Sequence, residues 1–405
     1  MQSAIAAQSG LPMSDVDPFS LEYIMDPFAA HEQLRNLGSV VWLNKYNVWF
    51  LTRYEEVHAV LSNPKTFCSS KGLGLTNYYF EKPWRAPSLL LEADPPEHTK
   101  RRQVMGRVLS PANIRKLREG FEQEARALID RLMEKEIVNG AKDLSEAYIL
   151  KVFPDAIGVS PEGRENMLKY GLMVFNAFGI HNKIFEDSVK DAEPVISWIM
   201  SCCERDRLSK NGMGELVYQA ADAGELPQDE ALMLVRSFLS AGVDTTITAI
   251  TNILYAFTQF PGEWQKLRAN PALARQAVEE GLRYETPWHH FCRTSTEETT
   301  IAGAPIAAKQ KIMLSIGSAN RDPRKWDNPD VFDINRIAHG QLAFGTNIHG
   351  CVGQMLSRLE KEVLFTELAK RIESIELAGE PTRVVHNTMR IRSNLPLKLK
   401  FAAKA

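Results

Sequence analysis

The chain has 405 residues, 44% hydrophobic and 24% charged, with 48 basic against 50 acidic side chains. A formal charge of −2 supplies no excess positive field, which argues against nucleic acid as a partner. The apolar fraction, with ordinary glycine and proline counts, excludes a disordered or fibrous chain, and the length suffices for a substantial core.

The five cysteines, Cys68, Cys202, Cys203, Cys292 and Cys351, are odd in number, scattered, and form no C-x-x-C pair. They read as thiols of a reducing compartment, not as a disulfide framework or a zinc site. The opening MQSAIAAQSGLPMSD lacks a basic region and a continuous apolar run, so it is not a signal peptide. No stretch approaches the roughly 20 apolar residues that span a bilayer. The expectation is a cytoplasmic protein with no membrane partner. Residues 1–16 read as a small, polar, flexible tail. Residues 17–405 carry no linker, charge block or repeat and read as one domain.

In chain order, VVWL at 40–43 and VWFLT at 48–52 flank Asn44-Lys45-Tyr46-Asn47 and predict a β-hairpin. Pro95-Pro96 and Ser110-Pro111 suit helix starts, Ser110 as an N-cap. The longest periodic segment runs from about Asp229 to Phe260 and predicts a continuous rod of roughly 45 Å. A helix from Pro271 to Tyr284 follows, then short strands and turns over 293–316 and the turn-rich GSANRDPRKWDNPD. A last long helix starts near Cys351, and LPLKLKF returns to strand-like alternation. His289 and His290 read as a turn pair with diverging side chains, not as metal ligands. The chain is mainly α with small β-sheets, and the absence of βαβ alternation excludes a Rossmann reading.

Three local features carry chemistry. In LAFGTNIHGCVGQMLSRLEKEVLF, Cys351 sits where a glycine-bearing loop turns into a helix, whose dipole and free N–H groups favour thiolate. Such a thiolate can be a nucleophile, a redox thiol or an axial haem ligand, while an isolated cysteine there is more often structural. In SAGVDTTIT, Gly242, Asp244, Thr245, Thr246 and Thr248 are poor helix formers in mid-rod, and Thr245 can bond back to the Ala241 carbonyl. That leaves room for a small polar ligand, or merely for a close helix crossing. Glu280 and Arg283 form an i, i+3 pair of a kind that is usually a weak surface salt bridge.

Together and in this order, these motifs resemble the cytochrome P-450 superfamily of haem-thiolate monooxygenases over essentially the whole chain. The family's haem loop is matched by Phe344, Gly345, His349, Cys351 and Gly353, with Asn347 in place of the second loop glycine. Asparagine readily adopts positive φ, so the turn is expected to survive. The central-helix groove is matched from Ala241 through Gly242 to Thr246, and the E-x-x-R pair by Glu280 and Arg283 with Arg336 as third partner. His98 and Arg102 match the haem-propionate pattern, and Arg293 stands where the family places another propionate-binding arginine.

The resemblance implies the cytochrome P-450 fold and a haem b whose iron is held by the Cys351 thiolate. Dioxygen would be bound against Gly242 to Thr245, with Asp244 relaying protons and Thr245 hydrogen-bonding on the oxygen side. With no flavin, nicotinamide or iron–sulfur fingerprint, electrons are expected from a separate ferredoxin and an NAD(P)H-dependent reductase. Lys100, Arg101 and Arg358 are candidate docking cations, and a monomer is expected.

KPWRAPSLLLEADPP, GLMVFNAFG and LMLVRSFLSAGVDTT further resemble a bacterial subgroup that oxidises para-substituted benzoic acids and removes the methyl group of 4-methoxybenzoate. By position, Arg85, Ser88 and Ser237 would hold the carboxylate and Arg236 would close the polar end. Leu91, Phe175, Phe178, Ala241 and Phe291 would wall the ring. Trp288 replaces a smaller apolar residue of the subgroup and would trim the pocket. The alternatives are oxidation of a neutral terpene-like metabolite, with the arginines structural, and a haem-binding sensor or carrier without turnover.

Overall fold

A computed structural model describes residues 10–402 of the chain. Its largest sheet contains β1 (Met13–Ser14), β2 (Val41–Leu43), β3 (Val48–Leu51), β4 (Phe67–Cys68), β5 (His290–Ser295) and β6 (Lys311–Ser315). The strand order is β1-β2-β3-β6-β5-β4. The predicted hairpin is β2–β3, in register at Trp42 and Trp49, whose rings meet edge to face at 4.9 Å. Asn47 closes the turn at φ 51°, a left-handed conformation that asparagine tolerates.

The tail expectation fails at its inner end. Met13–Ser14 lies parallel to Trp42–Leu43, completing the sheet edge, because the unpaired edge of β2 offers backbone donors and acceptors to any extended segment. Residues 1–9 of that expectation lie outside the described residues. Pro396–Phe401 is a strand, as its alternation predicts, and pairs with Ile372–Leu377 and Val138–Asn139. His289 and His290 are buried at the entry to β5 and are not a surface turn pair. Among the described residues, no histidine, cysteine or carboxylate cluster could hold a metal.

The helices that frame the site are α1 (Glu97–Val108), α2 (Asn166–Ala177), α3 (Gln228–Ala241), α4 (Asp244–Gln259), α5 (Ala274–Tyr284) and α6 (Gln354–Arg371). Pro96 stands at the N-cap position of α1. Ser110 occupies the cap of the short helix Pro111–Arg115, but its side chain makes no capping bond.

The predicted continuous rod is interrupted. The helix stops at Ala241 and restarts at Asp244, so Gly242 and Val243 join two segments. Thr245 Oγ1 takes the Ala241 carbonyl at 2.8 Å, the side-chain competition expected from its position. Gly242 is required by crowding, since a Cβ there would overlap the Phe153 ring. The core gathers around α4, α5 and α6, with Phe257, Trp264, Phe332 and Phe365 meeting ring to ring.

Candidate active site

One cavity runs between the α3–α4 interruption and the loop that carries Cys351. It encloses about 1650 Å³ of space free of protein atoms, its mouth included.

Cys351 lines this cavity and is the only cysteine among the described residues that does so. α6 begins at Gln354, after a turn, so the sulfur sits ahead of the helix and not on it. Burial pushes the thiol up, while the Gly353 backbone N–H, Arg102, Lys361 and Arg358 pull toward thiolate. The loop holds its shape through Gly345 at φ 64° and Asn347 at φ 58°. Asn347 thus takes the left-handed turn, and its amide donates to the Ser62 carbonyl at 2.6 Å.

His98 and Arg102 from α1, Arg293 from β5 and His349 from the cysteine loop line the same cavity. The imidazoles of His98 and His349 lie 4.5 Å apart, and the Nε2 atom of each is buried without a hydrogen-bond partner. Burial first, then the charges of His349 and Arg102, lower the His98 pKa to about 4. Arg293 Nη1 donates to the Cys292 carbonyl at 3.1 Å, and the Arg102 guanidinium makes no hydrogen bond among the described residues. Asp94, 3.9 Å from His349, is too distant for a hydrogen bond. Such orphaned donors beside an apolar cavity are unstable without an anionic partner.

Across the cavity stand Ala241, Gly242 and Thr245. Asp244 does not line it. Its carboxylate lies against Gly171 of α2, where a Cβ would overlap Oδ2. Burial, reinforced by Glu146, holds the Asp244 pKa well above its ordinary value, so the folded chain keeps the carboxyl proton to higher pH than the unfolded one. From the ordinary carboxylate value of 3.8 upward, the unfolded chain releases this proton and the folded chain keeps it. Stability therefore falls as pH rises through that window. Asp244→Asn is expected to remove this slope. Denaturant unfolding should show the variant gaining on the wild type as pH rises above the ordinary carboxylate value, by up to about 1.4 kcal/mol per pH unit.

Leu91, Phe175, Phe178, Trp288 and Phe291 form an aromatic-rich wall of the same cavity. Trp288 is its centre, 4.8 Å from Phe291, 5.2 Å from Phe175 and stacked on Phe178 at 5.6 Å. Arg85, Ser88 and Ser237 make the polar part of the lining. Arg85 stands over the Phe178 ring at 5.8 Å and pairs with the buried Glu92 at 3.0 Å. The Ser237 hydroxyl donates to the Met233 carbonyl at 3.1 Å, a bond it gives up to donate to a carboxylate.

Arg236 is placed otherwise than expected. It is buried behind the wall, Nη2 donating to the Ala86 carbonyl at 3.2 Å, and it does not line the cavity. Its neighbour Ser237 reaches the cavity because adjacent residues on a helix diverge by about 100°. Arg101 and Arg358 are also engaged internally, with Glu230 and Glu279 respectively, so neither is a free docking cation.

The sequence reading missed Ser357, Glu360 and Lys361, which line the cavity. Thr246 and Ser357 share a hydrogen bond of 3.0 Å, and Lys361 donates to Ser357. Burial pushes Glu360 up and Lys361 down, each opposed by the other's charge. Two adjacent charges inside the apolar LEKEVLF were the only available signal.

The E-x-x-R pair is fully buried, not a surface bridge. Arg283 grips Glu280 at both nitrogen–oxygen contacts, 2.7 and 2.8 Å, and Arg336 adds a third bond of 3.1 Å. Arg283 also holds the carbonyls of Asn320, Pro329 and Val331, tying α5 to the turn-rich segment that leads to the cysteine loop.

A buried thiol opposite unpaired imidazole and guanidinium donors suits an anionic macrocycle with a thiolate-held iron, which sets the protein among haem-thiolate enzymes. The model of the family Cytochrome P450 matches residues 30–158 and 173–401. The cytochrome p450 CYP199A2 of Rhodopseudomonas palustris is 47% identical over 392 residues, covering 96% of this chain and 95% of that protein. The biotin biosynthesis cytochrome P450 of Bacillus subtilis is 27% identical, covering 89% of this chain and 92% of the relative. The structure of cytochrome P450 CYP109Q5 from Chondromyces apiculatus superposes with a TM-score of 0.81 at 27% identity, covering 96% of this chain and 99% of that one.

The chain belongs to the cytochrome P450 family. It is a monooxygenase that uses haem, held through the Cys351 thiolate, and dioxygen. Its electrons come from redox partners. No helix among the described residues is long and apolar enough to cross a membrane.

Proposed function

We propose that the substrate is a small aromatic carboxylic acid with a para substituent, and that the reaction is O-demethylation of 4-methoxybenzoate-type acids. One methyl C–H bond is hydroxylated with one oxygen atom of dioxygen. The hemiacetal then breaks to 4-hydroxybenzoate and formaldehyde, while the second oxygen atom leaves as water with two electrons and two protons. The observation that carries this reading is the joining of an aromatic wall to a cationic end in the same cavity as Cys351.

Arg85 and Arg236 place two guanidinium groups at that end against the single carboxylate of Glu92. The surplus positive charge favours an anion, with Arg85 and the hydroxyls of Ser88 and Ser237 as its contacts and Arg236 as a brace behind the loop. Phe175, Phe178 and Phe291 exclude water and orient the ring. Bound haem would supply the oxidising power, with the Cys351 thiolate as its iron ligand donating charge. His98, Arg102, Arg293 and His349 would bind its anionic edge. Thr245, which lines the cavity, would hydrogen-bond on the oxygen side, with Asp244 one residue away as the proton relay. We further propose that the electron donor is a separate ferredoxin with its reductase, and that the protein is a cytoplasmic monomer.

The ion pair of Arg85 with Glu92 favours a second reading, in which Arg85 is structural and the substrate a neutral hydrophobic metabolite. Absorbance titration of the ferric protein with 4-methoxybenzoate and its methyl ester separates the two. The acid is expected to bind tightly and shift the Soret band toward high spin, with little response to the ester. Arg85→Ala should weaken the acid by roughly 10- to 100-fold, the worth of a hydrogen bond to a charged group. An equal response to the ester overturns the proposal in favour of the neutral substrate.

A further inference from the structure

The Asp244 carboxyl lies in a space that one residue of another helix leaves for it. Gly171 stands in the middle of α2, where alanine would suit the helix better, and its φ is not positive, so no turn calls for glycine there. What calls for it is the carboxyl. A Cβ at 171 would overlap Asp244 Oδ2 and crowd its Cγ, a deeper overlap than at any other glycine among the described residues.

Neither backbone is free to back away. The end of α2 is tied to the chain at 387–388, the Asn387 N–H donating to Asn176 Oδ1 at 2.9 Å and the Thr388 hydroxyl to the Phe175 carbonyl at 2.9 Å. Phe175, one turn past Gly171 on the same face of α2, is held in the ring wall of the cavity. α4 is fixed from its first turn, with Thr246 bonded to Ser357 at 3.0 Å and Thr251 to Ser145 at 2.9 Å. A side chain at 171 must therefore displace the Asp244 carboxyl, which is the movable end of a side chain. At Gly242 the obstacle is the buried Phe153 ring.

No polar group holds the carboxyl in place. Among the described residues it has neither a hydrogen-bond nor an ion-pair partner. The charged group that acts on it is Glu146, at the end of the segment Gly140–Glu146 packed against α4, and no charge from α2, α5 or α6 does so. A buried carboxyl without a cation stays there by keeping its proton, since burial penalises only the charged form.

We infer that Gly171 is a positioning residue for the monooxygenase reaction, the space left by its missing side chain parking the protonated Asp244 carboxyl under α2 and outside the cavity. This rests on the reading of Asp244 as the proton relay and goes beyond it, by naming what keeps the proton in reserve. On delivery the carboxyl O–H bond breaks, the proton passes to the cavity side, and the carboxylate left behind is reprotonated from water. The cover over the acid and the Phe175 wall of the pocket belong to one helix face, so a glycine serves where a larger residue would lift one or expel the other.

The test places Gly171→Ala in the wild type and in Asp244→Asn, using the holoenzyme. One reading is the pH dependence of denaturant unfolding. The other is the share of donor electrons that reaches product instead of peroxide, with whichever ligand of the titration above is turned over. Gly171→Ala is expected to remove the same pH slope that Asp244→Asn removes, and to lower the productive share by about tenfold, part of the worth of a positioned proton donor. Asparagine has the shape of aspartate, so the same crowding remains in the double variant, yet Gly171→Ala should change neither reading further there. A slope that survives in Gly171→Ala overturns the inference. A fall in productive share by the same factor in both backgrounds overturns it too, because that is damage to packing alone. Asp244→Glu probes the space from the other side: one methylene too long to lie over Gly171, it should lose the slope, and a slope retained counts against the inference. If Asp244→Asn leaves the productive share unchanged, the relay reading fails and takes the inference with it, a result distinct from any at Gly171.

Discussion

Replacing Cys351 by serine is expected to abolish the ferrous carbon monoxide absorption band diagnostic of thiolate ligation, and with it monooxygenase turnover. A serine hydroxyl has nearly the size of the thiol but stays protonated and hard, so it neither holds the iron comparably nor donates charge toward O–O cleavage. Fold stability should change little. The loop is shaped by Gly345 and Asn347 at positive φ and by the Cys351 N–H, which donates to the Phe344 carbonyl at 2.7 Å and is unaffected by the side chain. Pyridine haemochromogen content together with the carbon monoxide spectrum checks the outcome. Full haem content with an unchanged band would show that the iron is held elsewhere.

The second large effect is expected at Glu280. Glu280→Ala should destabilise the protein by about 3–5 kcal/mol, measured by denaturant unfolding, because it leaves Arg283 buried with its charge uncompensated. A pair on a helix surface would cost less than about 1 kcal/mol, so the magnitude decides whether burial is as found. Arg283→Lys should lose most of the same energy despite keeping the charge. Lysine cannot reproduce the fork that reaches both carboxylate oxygens and the carbonyls of Asn320, Pro329 and Val331. Haem retention should fall in both variants, since this node anchors the segment leading into the cysteine loop. A loss below about 1 kcal/mol in both would remove that anchoring role.

The parts of the site that were legible in the sequence are those where function overrides local preference. Poor helix formers inside a long apolar period betrayed the groove at Gly242–Thr246, and a glycine-rich turn with Asn347 betrayed the cysteine loop. What stayed hidden depends on partners far along the chain. Glu280 and Arg283 look like a surface pair until the backbone of 320–336 closes over them. Periodicity put Arg236 and Ser237 side by side near the pocket, but only the position of Ala86 decides that the arginine turns to the loop. The inward tuck of Asp244 is made possible by Gly171 on another helix, which no local pattern around SAGVDTT could indicate. The continuous rod failed for a similar reason, since the Phe153 ring occupies the space beside Gly242. Met13–Ser14 is too short to announce a strand and forms one only because β2 has an edge to cover.

The interruption between α3 and α4 also divides the cavity roof into parts of unequal local stability. Of the 16 residues of α4, 12 are buried, against six of 14 in α3. α4 is further pinned by Thr251 to Ser145 at 2.9 Å, by Thr246 to Ser357 and by Asn252 to Arg392. Opening free energy follows buried contact, and a helix with no break would have to open as one cooperative unit. With the break, the α3 half can loosen while the α4 half stays shut. Ser237 rides on the half that yields, and Thr245 on the half that does not. Admission of a ligand can then cost a partial opening of the roof while the oxygen-binding side keeps its geometry and its dryness.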